Sequence, residues 1–233
     1  MSHIEKISVD STADFAQPRD FLALGIFQEQ GPQPADQGVD DALGGLIAQV
    51  WERKNFRGKQ GESLVLYGRG PLARVALIGL GEADKFTADR ARQAAGNAVQ
   101  AARSQKATAC ELLVFESELP PAELTQALAE GLILASYRFD AHKQPDKDAV
   151  QLDRLSLVGA VDVDGLERGS IMANAVCFTR ELQNEPANVM TKEPSTSCSV
   201  CCCAQVQPDI WPYDASRRKT RARKPLASMG SHP

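Results

Sequence analysis

Four apolar runs of strand length limit what this chain can fold into. They are apolar almost throughout, as expected of strands that are buried on both faces of a sheet. Helical patterns separate them, in the way that crossover helices separate the strands of a parallel sheet. The sequence therefore predicts an α/β domain with a largely parallel central sheet. The runs are FLALGIF (21–27), RVALIGLGE (74–82), CELLVFE (110–116) and LDRLSLVGAV (152–161).

Shorter patterns complete the predicted alternation of strands and helices. Residues 4–9 and 63–68 suit further strands, and GPQPADQG (31–38) has the composition of a loop. Two helices are predicted over 88–102 and 122–138. A helix beginning near Asp40 places Leu43, Leu46, Ile47, Val50 and Trp51 at spacings of three and four. A helix within 165–182 carries Ile171, Ala175, Phe178 and Leu182 on one face.

The chain divides near Thr191 into an acidic body and a basic tail. We predict a domain over 1–183, a linker over 184–191 and a disordered tail over 192–233. The tail has a net charge of +4 and five of the 13 prolines, without a sustained helical or strand period. The body has a net charge of −8, which does not favour nucleic acid as a partner.

The cysteines follow the same division. Cys110 and Cys177 lie in apolar surroundings of the body, and we expect reduced, buried thiols there. The other four lie in the tail and include one Cys-x-x-Cys pair, but no second pair at zinc-site spacing follows. Incidental metal binding or oxidation is therefore the expected behaviour of the tail. These four are Cys198, Cys201, Cys202 and Cys203.

The remaining candidate groups do not form a pattern associated with catalysis or metal binding. His3, His142 and His232 are far apart in sequence and are expected to be exposed. GLGE (79–82) lacks the third glycine of a dinucleotide-binding loop, so a tight strand-to-helix turn is predicted. Ser156, Ser170 and Cys177 have no evident base partner. The sequence therefore predicts no catalytic, cofactor-binding or metal-ligating residue.

The sequence contains no membrane or export signal. No run of about 18 apolar residues occurs, which excludes a typical transmembrane helix. The first residues, MSHIEKISVD, lack the basic start and apolar stretch of a signal peptide. A cytoplasmic protein is therefore expected, with no membrane partner.

Four segments together resemble one known family. They are FRGKQGE (56–62), RVALIGLGE (74–82), EGLILASYRFDAHK (130–143) and TRELQNEPANVMT (179–191). In this order and spacing they are similar to the N-terminal part of leucyl aminopeptidases, the cytosol aminopeptidase family. The resemblance covers about residues 4–191 and implies a macro-like, three-layer α/β N-terminal domain.

The resemblance also implies what the intact enzymes do. Members of this family are homo-hexamers that remove N-terminal residues from peptides, using two divalent metals such as zinc or manganese. The metal ligands lie in a C-terminal domain, in stretches of the G-K-G-x-x-F-D-S-G-G and N-T-D-A-E-G-R types. Neither stretch occurs in this chain, so no family ligand is carried over to any residue here. This chain is therefore expected to bind no metal and to be inactive as a peptidase.

The departure from the family begins at Lys192, and three interpretations remain open. A frameshift near Thr191 would leave a truncated aminopeptidase with an out-of-frame tail. Alternatively, the chain is a free-standing macro-like module for binding or assembly, with a basic tail that contacts a partner. A third interpretation is a macro-like domain that binds a ligand of the ADP-ribose type, although an acidic body does not favour it.

Overall fold

The computed structural model describes residues 6–10, 14–68, 70–140 and 151–185, and the predicted α/β fold is confirmed in them. The strands are β1 (Ile7–Asp10), β2 (Leu22–Phe27), β3 (Ser63–Tyr67), β4 (Arg74–Gly81), β5 (Ala109–Leu113) and β6 (Arg154–Val158). The helices are α1 (Gln37–Ala42), α2 (Leu46–Glu52), α3 (Ala88–Ser104), α4 (Pro121–Ser136) and α5 (Val163–Asn184). The tail over 192–233 lies outside the described residues, so its disorder and its out-of-frame origin stay predictions. The domain boundaries at 183 and 191 also stay predictions.

The six strands form one sheet in the order β1-β6-β5-β2-β4-β3. Five of them run parallel, and β3 pairs antiparallel with β4. Every residue of β2 is buried, as its continuous apolar sequence predicts. Ala23 and Phe27 pack in the core under α3 and α4, whereas Leu22, Leu24 and Ile26 pack in the core under α1 and α2. The sheet is therefore the middle of three layers.

Glycines let the helices of one layer approach one another closely. A Cβ atom on Gly131 of α4 would lie 2.4 Å from the carbonyl oxygen of Arg92 in α3. A Cβ atom on Gly169 of α5 would lie 2.6 Å from the carbonyl oxygen of Gln126 in α4. Real Cβ atoms do not approach carbonyl oxygens so closely, so these helix contacts require glycine. No helix in the described ranges is long and apolar enough to cross a membrane.

The predicted single helix after Asp40 is wrong, because the chain forms two short helices there. Gly44 and Gly45 separate α1 from α2 and have φ angles of 70° and 79°, in the left-handed region that glycine tolerates. The carboxylate of Asp40 then accepts hydrogen bonds from the amides of Ile47 at 2.7 Å and Ala48 at 3.3 Å. These bonds satisfy free donors in the first turn of α2.

Ion pairs of Arg19 join the segment before β2 to strands β5 and β1. The Arg19 guanidinium donates to the carboxylates of Glu111 in β5 and, at 2.5 Å, Asp10 in β1. It also donates to the carbonyl oxygen of Asp14 at 3.1 Å. Burial disfavours the charge of Arg19, but the hydrogen bonds to the two carboxylates outweigh burial and raise its pKa. Arg19 and Glu111 are each only 7% exposed, so each needs the other's charge.

We expect Arg19→Leu to lower the free energy of unfolding by about 3–5 kcal/mol, because it leaves the Glu111 carboxylate buried without its partner. Urea unfolding at pH 7 measures the loss. The double variant Arg19→Leu/Glu111→Leu is the control and should lose less than the single variant. An equal loss in both would mean that the two charges are not coupled.

The close contact between α3 and α4 predicts opposite effects for two glycine substitutions. Gly131→Ala should destabilise the protein by about 1–3 kcal/mol, because its methyl group meets the α3 backbone. Gly96→Ala should stabilise by up to about 1 kcal/mol, because alanine is the better helix former. The nearest atom to a Cβ on Gly96 lies 3.8 Å away, so this methyl group fits. Thermal melts of both variants test these two predictions. Equal shifts of the melting temperature in Gly131→Ala and Gly96→Ala would contradict them.

Candidate binding cavity at the carboxyl edge of the sheet

The strand order places a switch point beside β2. From β2 the chain passes through α1, α2 and β3 to β4 on one side. It then returns through α3, over the opposite face of the sheet, to β5 on the other side of β2. In open α/β sheets a crevice forms beyond the carboxyl ends of strands that diverge in this way, and ligands bind there.

A cavity of about 250 Å³ lies at this switch point. Its walls come from the loops that follow β2, β4 and β5. They combine one aromatic ring and one methyl group with amide, hydroxyl and carboxylate groups. The lining residues are Phe27, Gln30, Gln33, Ala83, Glu116, Ser117 and Glu118.

Gln33 joins two of the loops that line the cavity. Its side-chain Nε2 donates to the carbonyl oxygen of Glu116 at 2.9 Å. Its Oε1 accepts from the backbone amide of Glu116, also at 2.9 Å. The amide side chain therefore pairs with the backbone of the β5–α4 loop as a neighbouring strand would, and this pairing holds together two of the loops that line the cavity.

Asp36 holds the backbone of Gln33 in place. It lies in a short 3₁₀ turn before α1, and its Oδ2 accepts from the backbone amide of Gln33 at 2.7 Å. Only 3% of Asp36 is exposed. Burial raises the pKa of Asp36 to about 6, although the hydrogen bond from Gln33 favours the charged form. Asp36 therefore titrates well above the ordinary range of an aspartate.

Phe27, the aromatic residue that lines the cavity, belongs to a cluster of three rings. Phe27, Phe86 and Phe115 contact each other edge to face, with ring centroids 5.1–6.0 Å apart. A Cβ atom on Gly25 would lie 2.6 Å from the ring of Phe115, so β2 needs glycine beneath that ring. The cavity is apolar at Phe27, whereas Glu116 and Glu118, which are both exposed, bring carboxylates to its lining. This combination suits a small polar or cationic group more than an anion.

Two backbone amides of the GLGE segment (79–82) are already hydrogen-bonded within the protein, so they are not available to bind an anion. The amide of Gly79 donates to the carbonyl oxygen of Glu62 at 2.7 Å, and that of Gly81 donates to Gly58 at 2.9 Å. A Cβ atom on Gly79 would lie 2.0 Å from the carbonyl oxygen of Lys59. The FRGKQGE segment therefore occupies these amides and requires the glycines. Gly79 and Gly81 belong to the end of strand β4, so the predicted tight turn does not form at these residues.

The other candidates from the sequence that lie in the described ranges do not assemble into a catalytic group. Cys110 and Cys177 are buried and free, as expected. Burial, followed by the charge of Glu111, raises the pKa of Cys110 to about 12, which suppresses its thiolate. Ser156 is buried, and Ser170 donates to the carbonyl oxygen of Leu166 at 2.7 Å. The candidates outside the described residues are His3, His142, His232, Cys198, Cys201, Cys202 and Cys203.

The two-metal site that the resemblance implies does not fit the described part of the chain. Within it, no group of three or more His, Cys, Asp or Glu side chains could hold a metal ion. Sequence reasoning also missed Gln33 and Asp36, which lie in a segment predicted only as a loop. A signal was present, because a polar residue followed three positions later by an acid is typical of a capping box.

The raised pKa of Asp36 predicts a pH-dependent stability difference between the protein and its Asp36→Asn variant. The folded state holds the Asp36 proton up to about pH 6. The unfolded state releases it near pH 4. The stability gained from that proton is therefore complete below pH 4 and is lost as the pH rises through 6.

Asp36→Asn keeps an oxygen acceptor for Gln33 but does not titrate. Relative to the unsubstituted protein, its free energy of unfolding should rise between pH 4 and pH 7 by on the order of 2–3 kcal/mol. Urea unfolding at several pH values measures the difference. A difference that does not change with pH would show that Asp36 titrates normally.

Comparison with known proteins relates this fold to one family. The sequence profile of the N-terminal domain of the cytosol aminopeptidase family matches residues 23–146. The probable cytosol aminopeptidase of Geobacter sp. (strain M21) is 33% identical over 195 residues, covering 80% of this chain and 39% of the relative. That of Syntrophotalea carbinolica is 35% identical over 188 residues, covering 75% of this chain and 37% of the relative. The chain thus spans less than two fifths of these relatives.

Solved structures lead to the same family. A mutant of tomato leucine aminopeptidase superposes with a TM-score of 0.68 at 25% identity, covering 86% of this chain and 42% of that chain. The bottromycin maturation enzyme BotP, in complex with Mn, superposes with a TM-score of 0.60 at 25% identity, covering 80% of this chain and 36% of that chain. The family profile covers more than half of the sequence. This chain belongs to the cytosol aminopeptidase family, through its N-terminal domain.

Proposed function

We propose that this chain provides the non-catalytic N-terminal domain of a metal-dependent leucyl aminopeptidase. The observation that carries the proposal is the family match, which lies within the N-terminal domain of relatives more than twice as long. By itself the chain is an inactive fragment in this proposal.

The reaction of the intact enzyme is the release of N-terminal amino acids from peptides. Two divalent metals, manganese or zinc, would activate the attacking water and hold the peptide carbonyl. The described domain offers no ligand set for them, so the ligands would come from the part of a full-length chain that follows it. A cytoplasmic location and assembly as a homo-hexamer belong to the same proposal, and the names of the relatives as cytosol aminopeptidases support the location.

The switch-point cavity favours a second candidate function, a free-standing binding or assembly module. The residues that line the cavity all belong to this one domain. The carboxylates of Glu116 and Glu118 in its lining repel the pyrophosphate of an ADP-ribose type ligand, so a neutral or cationic ligand suits the cavity better. The basic tail of the sequence would then serve a separate partner.

Inactivity of the fragment is the direct test. We expect the purified 233-residue chain with added manganese to release no p-nitroaniline from leucine p-nitroanilide. The Geobacter sp. (strain M21) relative, assayed with the same metal and substrate, is the positive control. Turnover by this chain above a blank containing only metal would contradict the proposal, provided that it rises in proportion to the concentration of the chain.

A further inference from the structure

The loops around the switch-point cavity carry mostly negative charge. These loops are residues 28–33 after β2, 82–87 after β4 and 114–120 after β5. They contain five carboxylates and one ammonium group, which gives them a net charge of −4. A concave surface with charges of one sign concentrates ligands of the opposite sign. The acidic residues are Glu29, Glu82, Asp84, Glu116 and Glu118, and the basic residue is Lys85.

The two glutamates in the cavity lining have no positively charged partner in the described part of the chain. None of the ion pairs there includes the carboxylate of Glu116 or Glu118. Lys85, two positions after the lining residue Ala83, pairs with Glu82 instead. The lining therefore offers two carboxylates whose charge no described residue neutralises.

Backbone amides that could bind an anion in these loops are already used within the protein. The amide of Glu116 donates to Oε1 of Gln33 at 2.9 Å. The amide of Gly31 donates to the carbonyl oxygen of Phe27 at 3.2 Å. At the end of β4 the amide of Gly81 is bonded to the FRGKQGE segment. Since donors are occupied and carboxylates are not, the cavity favours a ligand that donates hydrogen bonds.

We propose that the switch-point cavity binds a small aliphatic amine, with its ammonium group at Glu116 and Glu118. The inference names a ligand class for the free-standing binding module, so it rests on that second candidate function. The cavity of about 250 Å³ holds about eight water molecules at roughly 30 Å³ each. That size limits the ligand to on the order of ten non-hydrogen atoms. Phe27 supplies apolar surface for the methylene groups of such an amine.

Contacts between the loops prepare the cavity for a ligand. Gln33 is paired with the backbone of Glu116, and Asp36 accepts from the backbone amide of Gln33. A Cβ atom on Gly31 would lie 3.0 Å from the ring of Trp51, so α2 supports the same loop. Loops that are held in this way lose little conformational freedom when a ligand binds.

Equilibrium dialysis of the 233-residue chain against labelled 1,4-diaminobutane tests the inference. About 0.1 M salt in the buffer screens weak attraction to the acidic surface as a whole. We expect saturable binding of one diamine per chain. Excess unlabelled 1,4-butanediol, which has the same carbon chain without charge, should not displace it. Binding that does not saturate, or that the diol displaces, would overturn the inference.

Removal of the two lining charges provides the second measurement. Glu116→Gln/Glu118→Gln should weaken diamine binding at least tenfold. Its melting temperature should not change, because both side chains are exposed. Asp164→Asn/Glu167→Gln on α5 is the matched control, because it removes the same charge from residues outside the cavity lining. Equal losses of affinity in the two variants would mean that the diamine responds only to net charge, and would overturn the inference.

A third variant tests the cavity without changing any charge. Ala83→Phe adds a ring to the cavity lining and should abolish diamine binding by filling the space. A melting temperature close to that of the unsubstituted chain shows that this variant is folded. A folded variant that still binds the diamine would place the ligand outside the cavity and would overturn the inference.

The outcomes for amine binding and for the proposed functions are separate. A chain without saturable diamine binding overturns this inference and leaves the proposed role as an aminopeptidase N-terminal domain untouched, since that role depends on the leucine p-nitroanilide assay. Diamine binding that the diol displaces overturns the amine as the ligand class and retains a binding module for neutral ligands.

Discussion

Burial of β2 on both faces is the constraint on which the rest of the structure depends. Side chains of this strand alternate between the core under α3 and α4 and the core under α1 and α2. A strand in this position requires a helical layer on each side of the sheet, because its apolar side chains project to both faces and must be covered on both. After β2 the chain forms β4 on one side of this strand and later β5 on its other side. The cavity at the carboxyl edge is a consequence of that path.

The sequence predicts the layers well because they depend on long apolar runs. β2 and β4 coincide with FLALGIF and RVALIGLGE, and α3 and α4 coincide with the predicted helices. Local backbone chemistry was harder to predict. The break between α1 and α2 depends on Gly44 and Gly45, and isolated glycines inside a helical pattern are often tolerated.

The candidate site could be predicted less well than the fold. Gln33 and Asp36 lie in a loop whose composition indicates only a turn, and their role depends on Glu116, 83 residues after Gln33. No periodicity within a window of the sequence connects such positions. Even Asp36, whose neighbours are local, acquires its raised pKa from the burial that the fold imposes. A site that depends on two distant loops becomes visible only when the strand order is known.

The contact between the FRGKQGE segment and the end of β4 has a consequence for how such chains can diverge. The two segments meet through backbone atoms, with Gly79 against Lys59 and Gly81 against Gly58. A side chain added at Gly79 would meet backbone atoms of Gly58 and Lys59, so no change of side chain on the FRGKQGE segment can make room for it. The two motifs therefore serve as a joint signature of the fold. They identify a chain as having this architecture without indicating whether it performs chemistry.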